Sequence, residues 1–292
     1  MHLLLMTFGN NERHHLQACF CVYSFLAKNA RLSSINIMTD RPEFYKNIEN
    51  KLNVIPVTAA TLKEWKGSYD YFWRIKIKAI GQLCSEHPGE PVIYLDTDTF
   101  LYHDFEAAHR IVASGHAGMH RNEAPLNAIP TRTARRMYEK LKGRPLGNIT
   151  DLSAFNMWNA GVIITPNTND LAEITLALEI CDEMSRLDVP EHFIEQFSVS
   201  IAMHQVYQLQ PAESFLAHYW SNKDEWNQLI SVFFQRCYLE ALSQQQTMER
   251  FSTLALGSIP VNRKIKRMKT KLQKTVDRLF PDRNLEYVSP AE

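Results

Sequence analysis

The fold class that the sequence predicts is α/β, with a largely parallel sheet. Two observations carry it. Short apolar runs alternate with stretches whose apolar residues recur every three or four positions through the first hundred residues, which is the signature of strand–helix alternation. The 292 residues, 45% hydrophobic and 22% charged, are also enough to bury a sizeable core in one large domain. Only 10 Gly and 13 Pro exclude collagen-like and low-complexity chains.

The elements follow in order. His2–Phe8 is an apolar run stopped by Gly9-Asn10, and Glu12–Asn29 carries helical spacing. Ser34–Thr39 reads as a second strand, closed by Asp40-Arg41-Pro42, with Pro42 suited to a helix start. Asn53–Val57 is a third strand, Tyr71–Glu86 a helix ended by His87-Pro88-Gly89, and Pro91–Asp96 a strand centred on Val-Ile-Tyr-Leu. Beyond residue 100, Gly115–His120 reads as a strand, Asn122–Pro130 as a loop, Thr131–Lys142 as a helix and Gly143–Leu152 as a polar loop. Asn159–Thr165 is a buried strand, halted by Pro166-Asn167. Helices are expected over Asp170–Leu187, His192–His204 and Asp224–Ser243, with short strands at Val206–Leu209 and Phe215–Tyr219. There is no internal repeat.

The C-terminal stretch differs in kind. Arg263–Phe280 holds eight Lys/Arg and one acid, Asp277, a net +7 that leaves −7 for the rest of a chain balanced at 32 of each sign. Ile265, Met268, Leu272, Val276 and Leu279 fall at steps of three and four, an amphipathic stripe. A domain over residues 1–255 followed by a basic amphipathic tail over 256–292 is therefore expected. The overall balance argues against a nucleic-acid partner, and no aromatic platform accompanies the tail. Basic residues ringing an apolar stripe suit an anionic membrane surface, the alternative being a helix docked on the domain. No window reaches the length of a spanning helix, and the start MHLLLMTFGNNER lacks a basic n-region. Five cysteines without paired metal spacing suit a reducing cytosol. The expected location is cytoplasmic, peripheral to the inner face of the membrane.

The most informative stretch is Val92-Ile-Tyr-Leu-Asp96-Thr-Asp98. An apolar strand delivers two carboxylates at its C-terminal end, and a period of two points both to one side. That edge is where open α/β sheets bind ligands. Converging acids repel unless a cation joins them, and Mg²⁺ or Mn²⁺ bridging a diphosphate is the usual solution. Haloacid-dehalogenase-type phosphatases use a similar strand–DxD signature, with Asp96 as nucleophile and Asp98 as acid. That class places its strand near the N-terminus and needs a downstream acidic pair, which this sequence does not show.

Six pieces in order resemble a different class. Leu4–Asn10, Phe72-Trp-Arg74-Ile, Tyr94-Leu-Asp96-Thr-Asp98, Asn159-Ala-Gly161-Val, Glu195-Gln196 and His218-Tyr219 are similar to the motifs of the glycogenin/galactosyltransferase-like group (glycosyltransferase family 8-like), over roughly residues 2–226. The resemblance implies a GT-A fold, a Rossmann-like, mixed but mostly parallel sheet flanked by helices. It implies a hexosyltransferase that moves a sugar from a nucleotide diphosphate donor, UDP-linked, to a hydroxyl acceptor that is glycan or lipid-linked. A non-catalytic, membrane-associated carbohydrate-binding protein is the alternative that keeps such a fold without turnover.

Site roles follow from the same pieces. Asp96, Asp98 and His218 are the implied ligands of Mn²⁺ or Mg²⁺. Arg74 and Lys78, one helical turn apart, share a face and suit the donor diphosphate. Asn159 can hydrogen-bond sugar hydroxyls, and Gly161 lets the backbone approach a ligand. Thr7, Phe8 and Asn10 fall where the resemblance puts the base and ribose. Lys223 is the implied phosphate contact, although the run HYWSNKDEW lacks the Gly and Pro of the group's late motif. Glu195 and Gln196 are the implied acid–Gln pair beside the reacting anomeric carbon, with Glu195 orienting the acceptor or acting as base.

Overall fold

Along β1 (His2–Thr7), Leu3 and Leu5 are buried on one side and Leu4 on the other, the pattern of a strand covered on both faces. The computed structural model describes residues 1–147 and 149–263, together with 272, 275, 276 and 278–280. In order, the elements after β1 are α1 (Glu12–Ala27), β2 (Ser34–Thr39), β3 (Asn53–Pro56), α2 (Ala59–Lys66), α3 (Arg74–Glu86), β4 (Val92–Leu95) and β5 (Thr99–Leu101). They continue with α4 (Glu106–Ala113), β6 (Ala117–Pro125), α5 (Arg132–Leu141), β7 (Asn156–Thr165), α6 (Ala172–Arg186), α7 (Ile194–Val206), β8 (Leu209–Pro211), β9 (Leu216–His218), α8 (Lys223–Leu239) and α9 (Gln244–Ser252).

Seven strands form one sheet in the order β3-β2-β1-β4-β7-β6-β8. β1, β2, β3 and β4 pair in parallel, β7 runs antiparallel to both β4 and β6, and β8 is parallel to β6. This is the mixed, mostly parallel sheet that the strand–helix alternation leads one to expect. Apolar side chains of α3, α5, α6 and α7 cover one face with Leu4, Tyr94, Met119 and Ile163. Those of α1, α8 and α9 cover the other with Leu5, Leu95, Val162 and Ile164.

The departures from expectation have local causes. β6 runs on to Pro125 where a loop was expected over Asn122–Pro130, because its polar residues lie on a partly exposed face and two register shifts bend it along β7. α7 continues to Val206, so the strand expected at Val206–Leu209 shrinks to β8. The helix expected over Asp224–Ser243 ends at Leu239. Ala241 turns left-handed (φ 50°), and Ser243 with Gln246 forms a capping box that starts α9.

The chain still packs on the body beyond residue 255. The Pro260 carbonyl accepts from Asn222 Nδ2 (2.8 Å) and Trp226 Nε1 (3.2 Å), and Arg263 pairs with Glu225. The helix expected over Arg263–Phe280 lies largely outside the described residues; of its stripe, Leu272, Val276 and Leu279 are described and are exposed. Among the described residues no helix is long and apolar enough to cross a membrane, and all five cysteines are unpaired.

Candidate metal centre and cleft

The acids at the end of β4 meet a histidine because a second, two-stranded sheet brings it there. β5 follows the acids directly and pairs antiparallel with β9, with Thr99 opposite His218, and Tyr219 N donates to the Asp98 carbonyl (3.0 Å). One ligand atom from each of Asp96, Asp98 and His218 lies within 4.8 Å of the others. Asp98 is only 3% exposed. His218 Nε2 lies 3.4 Å from Asp98 Oδ2, and Lys223 Nζ lies 2.9 Å from the same oxygen, yet no hydrogen bond of acceptable angle reaches that oxygen. Burial pushes the Asp98 carboxyl up, but His218 and Lys223 outweigh it and hold it well below the usual carboxylate range.

The strand β7 fixes the imidazole. Asn159 Oδ1 lies 2.8 Å from His218 Nδ1 and also accepts from Gly161 N at 3.1 Å. An acceptor at that distance takes a proton from Nδ1, so the ring edge turned towards the orphaned Asp98 oxygen is Nε2, the nitrogen free to serve as a metal ligand. Two carboxylates and an imidazole nitrogen converging at this distance, with one buried carboxylate oxygen left without a hydrogen bond, are a donor set that fits a divalent metal. A Cβ on Gly161 would collide with the His218 ring. The neighbouring His120 ring stands edge-on at 5.2 Å. Burial, with His218 and Arg121 adding, pushes its pKa down to about 3, so it contributes no charge.

Asn159, expected to meet a sugar hydroxyl, has its Oδ1 on the histidine, and the space over Gly161 is occupied by the imidazole. Asn159 Nδ2 also donates to Glu123 Oε1 (3.4 Å), whose Oε2 accepts from Gln196 Nε2 (3.2 Å). Gln196 is thereby linked to His218 through the side chains of Glu123 and Asn159.

A buried cation sits where the sequence reading had none. Lys76 is 3% exposed, and its Nζ lies 3.1 Å from both Asp96 Oδ1 and Glu195 Oε1. It also donates to the Ala160 carbonyl at 3.3 Å, while Tyr94 Oη donates to Asp96 Oδ1 at 2.9 Å. Burial pulls the ammonium down, but Asp96 and Glu195 outweigh it and hold its pKa above the ordinary lysine value. Burial raises Glu195, against the opposing pull of Lys76 and with a further push from Asp96. The signal was in the sequence: Lys76, Ile80 and Leu83 keep helical register, so a lysine stands on a buried apolar stripe.

Arg74 is engaged elsewhere. Its Nε and Nη2 donate to both carboxylate oxygens of Asp182 (2.7 and 2.9 Å) and its Nη1 to the Trp65 carbonyl (2.9 Å). Lys78 is half-buried and does not line the cleft beside Asp96. Neither Arg74 nor Lys78 lines the cleft; the α3 cation nearest Asp96 is Lys76, which is buried against it.

That cleft, about 230 Å³, opens at the C-terminal ends of β1 and β4. Thr7 and Phe8 line it from β1, His14 and Gln17 from α1, Phe72 and Trp73 from the entry to α3, and Asp96, Asp98 and Lys223 from the metal side. The Thr7 hydroxyl is already engaged by Thr39 and Tyr45 (3.1 and 2.7 Å), and Asn10 is exposed outside the lining. Trp73 and Phe72 are 47% and 43% exposed, an unusual state for large aromatics. His14 and Gln17 had no sequence signal, since they occupy ordinary helix positions. Two of the larger cavities, about 710 and 410 Å³, lie between α8 and α9 and beside His218; neither includes Asp96 or Asp98.

No family model and no curated protein matches the chain. Among solved structures it is similar to galactosyltransferase LgtC in complex with donor and acceptor sugar analogues, at 11% identity over 72% of this chain and 73% of that one, TM-score 0.48. It is similar to mouse xyloside xylosyltransferase 1 at 14% identity over 72% and 84%, TM-score 0.45. It is also similar to the bifunctional glycosyltransferase WbbM at 8% identity over 72% and 38%, TM-score 0.49.

Proposed function

We propose that the chain is a metal-dependent GT-A-type glycosyltransferase that moves a hexosyl group from a nucleotide diphosphate donor, UDP-linked, to a hydroxyl of a glycan or lipid-linked acceptor. The single observation that carries it is the convergence of Asp96, Asp98 and His218 beside a cleft at the C-terminal strand ends. Mn²⁺ or Mg²⁺ held by these three residues would supply positive charge to the departing diphosphate.

The chain's own residues support the rest. Asp96, Asp98 and Glu195 face Lys76 and Lys223, an excess of one negative charge that repels a diphosphate until a divalent ion reverses the sign. Lys223, half-exposed at the cleft wall, then offers its ammonium to a phosphate. Thr7 and Phe8, which line the cleft from β1, are the proposed contacts of base and ribose, and the exposed Trp73 and Phe72 offer ring faces to a planar or sugar ring. Glu195, tied to Asp96 through Lys76, and Gln196, hydrogen-bonded to Glu123, are the proposed acid–Gln pair for the reacting anomeric carbon. The positioning of two substrates and the electrostatic stabilisation together carry the rate.

The basic segment Arg263–Phe280 would hold the enzyme on an anionic cytoplasmic membrane face, close to a lipid-linked acceptor. Incubation with Mn²⁺ and a panel of nucleotide sugars, scoring released nucleotide, tests the activity. Release from one donor is expected, together with silence in EDTA and in Asp98→Asn. Phosphate release from simple phosphoesters with no nucleotide-sugar turnover would instead establish the phosphatase.

A further inference from the structure

A second group of ligand-type side chains lies at the opposite end of the sheet. β1 and β4 run parallel with His2 opposite Val92, so His2 and the loop before β4 share the N-terminal edge, about 13 Å from Asp96 at four strand residues of about 3.3 Å each. His2 is buried, His87 half-buried and Glu90 exposed, and one ligand atom from each lies within 4.8 Å of the others. His2 Nε2 is 2.9 Å from Glu90 Oε2, and the His2 and His87 rings stack at 3.7 Å and 14°.

The surroundings hold these groups in place. His2 Nδ1 lies 2.8 Å from Ser34 Oγ, which also accepts from Asn36 Nδ2 at 2.7 Å. The loop carrying His87 and Glu90 is clamped by Asn167, whose Nδ2 donates to the carbonyls of Cys84, His87 and Glu90 (2.9, 2.7 and 3.2 Å). Two imidazoles, one carboxylate and a solvent side for a water are the donor set of zinc-class ions; the hard cations Mg²⁺ and Ca²⁺ prefer oxygen throughout.

We propose that His2, His87 and Glu90 form a second divalent-metal site, for a zinc-class ion, that ties the start of β1 to the loop between α3 and β4. On binding, the His2 Nε2···Glu90 hydrogen bond is replaced by two ligand bonds; the ring keeps a single proton, on Nδ1, and any second proton leaves to solvent. Ser34 Oγ accepts from that Nδ1–H and keeps the ring oriented, as outer-shell acceptors do. His87, the more exposed ring, tilts out of the stack so that its nitrogen faces the same ion, while His2 stays fixed. None of the three residues belongs to the cleft, so the site is independent of the transferase reading.

The test uses untagged full-length chain carrying Asp98→Asn, which silences the other cluster. Zn²⁺ binding is measured by calorimetry, and Co²⁺ is used as a spectroscopic substitute. The Asp98→Asn chain should bind one Zn²⁺ with micromolar or tighter affinity, show the visible bands of a low-coordinate Co²⁺ site and melt at higher temperature with Zn²⁺. Adding His87→Ala or Glu90→Gln should weaken binding by about 100-fold and abolish the bands, and Ser34→Ala should weaken it by about tenfold. Should His87→Ala fail to fold by circular dichroism, the exposed Glu90→Gln decides. Unchanged affinity in the folded variants, or only millimolar binding in the parent, overturns the site and leaves a stacked histidine pair with an ion-paired glutamate.

Discussion

Replacing Lys76 with methionine should expose how much of the site rests on one ammonium. Methionine keeps the length of the lysine stem, so the packing change is small, and what disappears is the cation 3.1 Å from both Asp96 and Glu195. Removing one partner of a buried pair costs about 3–5 kcal/mol, because the remaining charge is left without compensation. The Glu195 side chain is 10% exposed and that of Asp96 is 26% exposed, so water relieves part of the cost on the Asp96 side and the lower end, about 3 kcal/mol, is expected.

The loss should also depend on pH with a definite sign. Burial raises the Glu195 carboxyl above its ordinary value near 4.5 against the pull of Lys76, and without Lys76 it rises further. An acid whose folded pKa exceeds its unfolded one penalises folding only while ionised: the penalty is full above the folded value and absent below the unfolded one. The difference between wild type and Lys76→Met should therefore be largest near pH 7.5 and shrink on acidification towards about 4.5. Urea unfolding followed by tryptophan fluorescence, in EDTA at about pH 7.5 and about pH 5.5, measures it, with equal slopes confirming the same unfolding. Lys76→Arg, which keeps the charge, should lose less than Lys76→Met. A Lys76→Met chain within about 1 kcal/mol of wild type at neutral pH, or a loss of equal size at both pH values, would refute the three-charge arrangement.

Three further outcomes are expected. Gly161→Ala puts a methyl against the His218 ring and should cost about 1–3 kcal/mol of stability while weakening Mn²⁺ binding; a calorimetric Mn²⁺ titration with unchanged affinity would show that His218 is not a ligand. Arg74→Ala breaks a pair whose Asp182 side chain is 41% exposed, so about 1 kcal/mol or less should be lost, with the donor titration unmoved. A tenfold weaker donor with intact stability would return Arg74 to the diphosphate. The full chain should sediment with anionic liposomes at low salt and a chain ending at Arg263 should not, since basic residues near such a surface are worth about 1 kcal/mol each; equal sedimentation of the two would remove the membrane anchor.

What could be read in the sequence, and what could not, divides along sequence distance. A parallel strand buried on both faces must be apolar throughout, so β1, β2 and β4 announced themselves, and with β4 came the two acids at its end. β5 is three residues long and was not expected, while β9 falls inside the strand expected at Phe215–Tyr219, where nothing in so short a run shows which strand it pairs with. Yet their pairing is what carries His218 to Asp98, so without the family likeness the third ligand had no physical argument. Asn159 and Gly161 were picked out as a pair, and both serve the same imidazole, one by accepting its proton and the other by leaving it room.

The α3 cations show the limit of a same-face rule. Residues four apart do share a face, which made Arg74 and Lys78 look like a pair, but the rule does not say which face looks at the acids. That is set by the stripe of Ile80, Leu83 and Cys84 packing under the sheet, and the lysine in register with it is Lys76. A cation on an apolar stripe has to be paired or its burial is prohibitive. Reading the stripe before the charges would have required partners for Lys76, and acids delivered from the end of an adjacent buried strand were the nearest candidates the sequence offered.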